Sequence, residues 1–181
     1  MVTPVCAWGT VAAALAGLGW FVGLQLAGDT VYWISNLMAV TATASVIVMA
    51  IPDRYERFIK WISAVFAFAA LVLSICLALQ FQRGEGVSTF QFAESSAWIP
   101  GLGASYLLAV DGIGVAMELL TGIIIFCGVL ASWRVEHRPR EFFALLLLLV
   151  TGVFGVFAAQ DLFVFFLFYE VAVLPMYLLI G

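Results

Sequence analysis

The sequence predicts an all-α fold, a polytopic transmembrane helix bundle with about six spanning helices, and three observations predict it. Of 181 residues, 65% are apolar and only 10% charged, and the mean hydropathy is +1.17. A soluble domain carries about 45–50% apolar and roughly 25% charged residues, so this composition leaves large apolar patches facing water. The apolar residues also fall into runs of about 20, the length a helix needs to cross a bilayer. Six of the seven basic residues cluster in two short segments around the ends of those runs, the seventh being Arg83. A net charge of −4 with 7 Lys+Arg gives no nucleic-acid footprint. The opening MVTPVCAWGT lacks the basic n-region of a cleaved signal peptide.

Backbone groups in hydrocarbon must be hydrogen-bonded within their own segment, so each long apolar run reads as a helix. Residues 2–27 form the first candidate, rich in Gly and Ala and free of charge. Its glycines Gly9, Gly17, Gly19 and Gly23 also suit close helix packing. The second covers 31–51 and is ended by Pro52, which cannot continue a helix. The third covers 58–81. After a polar loop follow 112–133, 142–159 and 162–180. Only Gln160 and Asp161 separate the last two, which implies an antiparallel pair joined by a tight turn.

Arg54, Arg57 and Lys60 lie between the second run and the first turn of the third, and Arg134, Arg138 and Arg140 between the fourth and fifth. The positive-inside rule makes loops 52–60 and 134–141 cytoplasmic and the loop 82–110 external, in a cell inner (plasma) membrane. The external loop carries Gly84, Gly86, Pro100, Gly101 and Gly103 as turn formers, and Phe90, Phe92, Trp98 and Tyr106 as interfacial aromatics. A short strand or hairpin is compatible with it, but the spacing does not place one. Cys6, Cys76 and Cys127 sit far apart within apolar runs and read as buried thiols, not as a disulfide framework or metal cluster.

Two carboxylates fall inside the predicted helices, where a charge costs about 2.5–3.5 kcal/mol on insertion scales and usually faces a bundle interior or water cavity. Glu170 is the ninth residue of the last helix, roughly 13 Å in and close to the bilayer midplane. No Lys or Arg of this chain lies at that depth. A carboxyl whose charge answers to a movable cation is what a proton relay requires. Pro175, five residues on, leaves the Val171 carbonyl without its helical donor and favours a kink where water or a partner side chain can bond. Phe163, Phe165, Phe166, Phe168 and Tyr169 wrap the outer half of this helix in rings that keep stray water out. Glu118, two turns into the fourth helix, reads as a snorkelling or locally paired acid, with a second relay group as the sharper alternative. Asp111 and Asp161 precede helices and read as caps. His137, within RVEHRPRE, reads as solvated. There is no HExxH, CxxC, P-loop or nucleophile motif.

The string 150–181, VTGVFGVFAAQDLFVFFLFYEVAVLPMYLLIG, closely resembles the fourth and fifth core helices of the NADH-quinone oxidoreductase subunit M family, chain 4 of respiratory complex I. The string 98–133, WIPGLGASYLLAVDGIGVAMELLTGIIIFCGVLASW, is similar to that family's outer loop and following helix, with W-I-P, V-D-G and L-L-T in order. The block D-L-F-x-F-F-x-F-Y-E-x-x-x-L-P-M-Y is highly specific. Related subunits of multi-subunit Na+/H+ antiporters and membrane-bound hydrogenases share the fold and the glutamate but fit the flanking words less well.

The resemblance implies residues 31–181 as the N-terminal part of a proton-translocating antiporter-like domain of about fourteen helices, with residues 1–30 an additional helix or extension. It implies partners among the other membrane subunits of the complex and no redox centre or cofactor in this subunit; NADH, FMN, iron–sulfur clusters and quinone belong to other subunits. Glu170 matches the glutamate that pairs with a lysine on a later helix, beyond Gly181, so the chain is read as a fragment or as the product of a split or frame-shifted gene. Alone in liposomes it is expected to give neither NADH oxidation nor proton flux. Glu118 stands where the family carries an apolar residue and takes no role from it. A purely structural assembly subunit is the competing class, in which Gln would replace Glu170 silently. An intramembrane aspartyl protease built on Asp111 and Asp161 is disfavoured, because both sit at the outer interface without a G-x-G-D motif.

Overall fold

The computed structural model describes residues 33–52, 55–82, 89–99, 101, 104–135 and 138–180. The candidate helix 2–27 and His137 lie outside the described residues. Helix α1 spans Trp33–Ala50, α2 Glu56–Gln80, α3 Gly112–Ala131, α4 Pro139–Ala158 and α5 Leu162–Ile180. All five are long and apolar enough to cross a membrane, α3 together with the 3-10 turn Ser132–Arg134 that extends it. Helix α4 starts three residues before its apolar run because Pro139 takes the first helical position, where its fixed φ fits and its missing N–H costs nothing.

Among the described residues the fold departs from all-α in one place. The loop after α2 contains an antiparallel hairpin, β1 (Gln91–Ile99) paired with β2 (Ala104–Val110). Between Gln91 and Glu94 the register shifts, and Phe92 adopts a positive φ of 55° there. Such an irregularity re-aims the side chains of the strand. Beyond it, Glu94 is buried.

Glu94 then does what no local residue was expected to do. Its Oε1 accepts from the backbone N–H of Ile34 (3.2 Å) and of Ser35 (3.3 Å), and the Ser35 hydroxyl meets Oε2. The first-turn amides of a helix lack intrahelical partners, so the hairpin caps α1 from 59 residues away. Burial lifts the Glu94 carboxyl above its usual range, against the opposing bonds from Ser35 and Ile34. Its folded form therefore holds a proton more tightly than the unfolded chain does. The associated stability is fully present below the ordinary glutamate value and is lost as pH rises through the lifted one. Glu94→Ala is expected to cost about 1–2 kcal/mol, the range for a lost cap. Glu94→Gln is expected to flatten the acid-side pH dependence of thermal unfolding, measured against the parent protein.

The same hairpin holds the α4–α5 turn. Leu108 bridges Ala159, the Gln160 N–H donates to Leu107 O (3.0 Å), and Gln160 Nε2 donates to Ala109 O (3.0 Å). Among the helices, α1 and α4 meet through buried hydroxyls. Ser45 Oγ donates to Ala144 O at 2.8 Å, and the Thr41 and Thr151 oxygens lie 2.8 Å apart. Small polar contacts of this kind join helices where hydrophobic burial gives no drive between them. The described cysteines do not fit the buried reading: Cys76 is half-buried and Cys127 exposed on α3. A thiol in an apolar run needs an apolar neighbourhood, and the hydrocarbon-facing surface of a spanning helix supplies one.

Candidate functional site

Helix α5 is positioned by α4. A Cβ on Gly152 would stand 2.5 Å from the Ala172 nitrogen, and one on Gly155 2.2 Å from the Phe168 ring. The two glycines therefore let the α5 backbone and ring sit directly on α4. Val164 and Pro175 are the buried residues of α5, with Phe168 packed beside the core. The helix continues from Leu162 to Ile180 across Pro175, which is buried.

Glu170 is the ninth residue of α5, as the sequence places it, but its side chain does not face the interior formed by the described helices. It is exposed, two residues and so about 200° around the helix from Phe168. Its neighbours along that face, Phe166, Leu167, Val173, Leu174 and Tyr177, are exposed too. Phe163, Phe165 and Tyr169 are likewise at the surface and do not enclose the carboxyl. Phe165 and Tyr169 stack with ring centroids 6.3 Å apart. The outcome is a continuous apolar face bearing a single acid.

Asp111 is the N-cap of α3, accepting from the Gly114 N–H at 2.6 Å. Asp161 accepts from the Phe163 N–H (2.8 Å) in the first turn of α5, and from the Ser105 N–H on β2 (3.1 Å). These N–H donors, Ser105 first, hold the Asp161 carboxyl below its usual range. Both aspartates have capping roles, and Asp161 also ties α5 to the hairpin.

Glu118 overturns the snorkelling reading. Its side chain is 0% exposed, and neither carboxyl oxygen has a hydrogen-bond partner among the described residues. Gly122, one turn on, packs so closely against α2 that a Cβ there would lie 2.8 Å from Ser74 Oγ. This tight α2–α3 seam turns the Glu118 face inward and denies the side chain a route to the headgroups. An unsatisfied buried polar group costs about 1–3 kcal/mol. Glu118→Leu is therefore expected to stabilise the bundle by an amount in that range, read as a higher unfolding temperature.

Among the described residues no group of three or more His, Cys, Asp or Glu could hold a metal ion. The missed contributor is Glu94. Its signal in the sequence was slight: one acid in a strand-like QFAESSAWI, with no period that marks it as buried.

These observations define a class: a polytopic helical bundle with spanning helices, closed at one end by a hairpin and carrying one mid-helix acid on an open face. No family model matches the chain. It is a homologue of NAD(P)H-quinone oxidoreductase chain 4, over about four-fifths of its length. It is 36% identical over 149 residues to "NAD(P)H-quinone oxidoreductase chain 4 1" of Nostoc sp., covering 82% of this chain and 28% of the relative. It is 35% identical over 148 residues to "NAD(P)H-quinone oxidoreductase chain 4 3" of Picosynechococcus sp., covering 82% and 27%. Against "NAD(P)H-quinone oxidoreductase chain 4 1" of Synechococcus elongatus it is 36% identical over 150 residues, covering 82% and 28%. The chain thus spans little more than a quarter of the length of the curated relatives it matches.

Proposed function

We propose that this chain is part of the membrane arm of an NAD(P)H:quinone oxidoreductase, and that Glu170 serves its proton translocation. One observation carries the reading: the block D-L-F-x-F-F-x-F-Y-E-x-x-x-L-P-M-Y sets an acid at mid-depth of a spanning helix, on a face that the described helices leave open. An isolated carboxylate against hydrocarbon is costly, so that face suits a further protein segment bringing a cation. A lysine brought to about 4 Å gains roughly 4 kcal/mol at an effective dielectric of 20, which is about three powers of ten in its proton affinity. Moving the lysine toward and away from Glu170 therefore loads and releases a proton. The electron carriers, NADH, FMN, iron–sulfur clusters and quinone, belong to other subunits of the assembly.

Residues 31–181 form the antiporter-like part in this reading, and residues 1–30 an extension. The ends carrying Arg57, Lys60, Arg134, Arg138 and Arg140 face the cytoplasm and the hairpin faces outward, because basic residues are retained on the cytoplasmic side. The test is NAD(P)H-driven proton uptake by inverted membrane vesicles carrying Glu170→Gln in the complete complex. Loss of uptake with the complex assembled supports the reading; unchanged uptake refutes it.

A further inference from the structure

We infer that the basic end of the α2–α3 seam is a binding site for an anionic glycerophospholipid, its acyl chain in an aromatic groove and its phosphate on Arg57, Lys60 and Arg134. The groove, about 490 Å³, is lined by Trp61, Ala64, Val65, Phe68, Phe126, Leu130 and Trp133. It is bounded by two ring pairs. Trp61 and Trp133 meet edge-to-face with centroids 5.3 Å apart, and Phe68 and Phe126 lie 5.7 Å apart. Trp61 to Phe68 is seven residues, roughly 10 Å of helix, or about two-thirds of the roughly 15 Å hydrocarbon depth of one leaflet. The channel thus has the length and apolarity for the upper part of an acyl chain. Indole rings at its mouth match the headgroup level where tryptophan concentrates.

The mouth is charged as a phosphate site would be. Arg57 lies one turn before Trp61 on the same helix face, Lys60 adjoins Trp61, and Arg134 follows Trp133. None of the three makes an ion pair among the described residues, where Arg138 instead meets Glu141 at 3.3 Å. A second cavity of about 410 Å³, lined by Tyr55, Glu56, Arg57 and Phe58, opens where α2 begins. Among the described residues lining this cavity Glu56 is the one carboxylate, beside Arg57, while Lys60 and Arg134 adjoin Trp61 and Trp133 in sequence. That excess of cations is what commits the occupant to an anionic headgroup and not to a zwitterionic lipid or an apolar helix; basic pockets between spanning helices are recognised lipid-headgroup sites.

This inference does not rest on the proton-relay reading and is tested separately. The complete complex is incubated with photoactivatable phosphatidylglycerol or phosphatidylcholine of the same acyl chains, irradiated, and its labelled peptides mapped. Phosphatidylglycerol is expected to label segments 61–68 and 126–133 at least tenfold over phosphatidylcholine. Each basic residue removed is expected to lower that labelling about fivefold, with Arg57→Gln, Lys60→Gln and Arg134→Gln combined bringing it to the phosphatidylcholine level. If the triple variant does not assemble, Arg134→Gln alone, an exposed change in a 3-10 turn, is expected to show the single-residue drop of about fivefold, and unchanged labelling there overturns the headgroup assignment. Equal labelling by both lipids overturns the headgroup assignment. Absence of label from both segments overturns the site, as does crosslinking of the groove to a neighbouring subunit instead.

Discussion

If the proposed function holds, glutamine in place of Glu170 is expected to abolish proton translocation by the assembled oxidoreductase while leaving the amount of assembled complex unchanged, the largest effect expected of any single substitution here. Glutamine keeps the shape and the hydrogen-bonding capacity of the side chain and removes only its charge. Because the residue is exposed on α5, packing among the described helices does not depend on it. The proposed relay would, since a neutral amide cannot hold a lysine in its charged form. Glu170→Asp retains the charge but withdraws it by one methylene, roughly 1.5 Å, and is expected to leave a partial rate. If Gln and wild type pump equally, the acid is a structural hydrogen-bonding group and the pump assignment fails. If both assembly and pumping are lost, the side chain is part of the packing instead.

The second large effect is structural. Gly152→Val is expected to separate α4 from α5 and to prevent the complex from accumulating. The Cβ alone would lie within 3 Å of three Ala172 atoms, two of them backbone. A side-chain neighbour can rotate away from such a contact, but a helix backbone cannot. Overpacking of this kind costs about 1–3 kcal/mol even where the surroundings adjust, and valine adds two further methyl groups. Gly128→Val is the control, since a Cβ at that position meets nothing within 4 Å. Blue-native electrophoresis of membranes carrying each variant measures the difference. Equal assembly of the two would show that α5 is held by contacts other than the Gly152 seam.

The five described spans, their order and the mid-helix place of Glu170 were legible in the sequence because they depend on length, apolarity and 1.5 Å per residue. Even the α4–α5 turn followed from two residues between apolar runs. The hairpin was not legible. Its strands interrupt no clean alternation, and its anchors are single bonds across 50 to 60 residues: Glu94 to Ile34 and Ser35, Asp161 to Ser105 and Gln160 to Ala109. A local pattern holds no record of such pairings. The direction in which an acid points was equally out of reach. Glu118 and Glu170 are both acids within spanning helices, yet one is sealed in the α2–α3 seam and the other stands on an open face. That difference arises from where Gly122 meets Ser74 and where Gly152 meets Ala172. The chain alone determines which segments enter the bilayer, because transfer from water into hydrocarbon is decided segment by segment. Which face of each helix is covered is decided only when the helices meet, because close approach depends on the small residues of two segments at once.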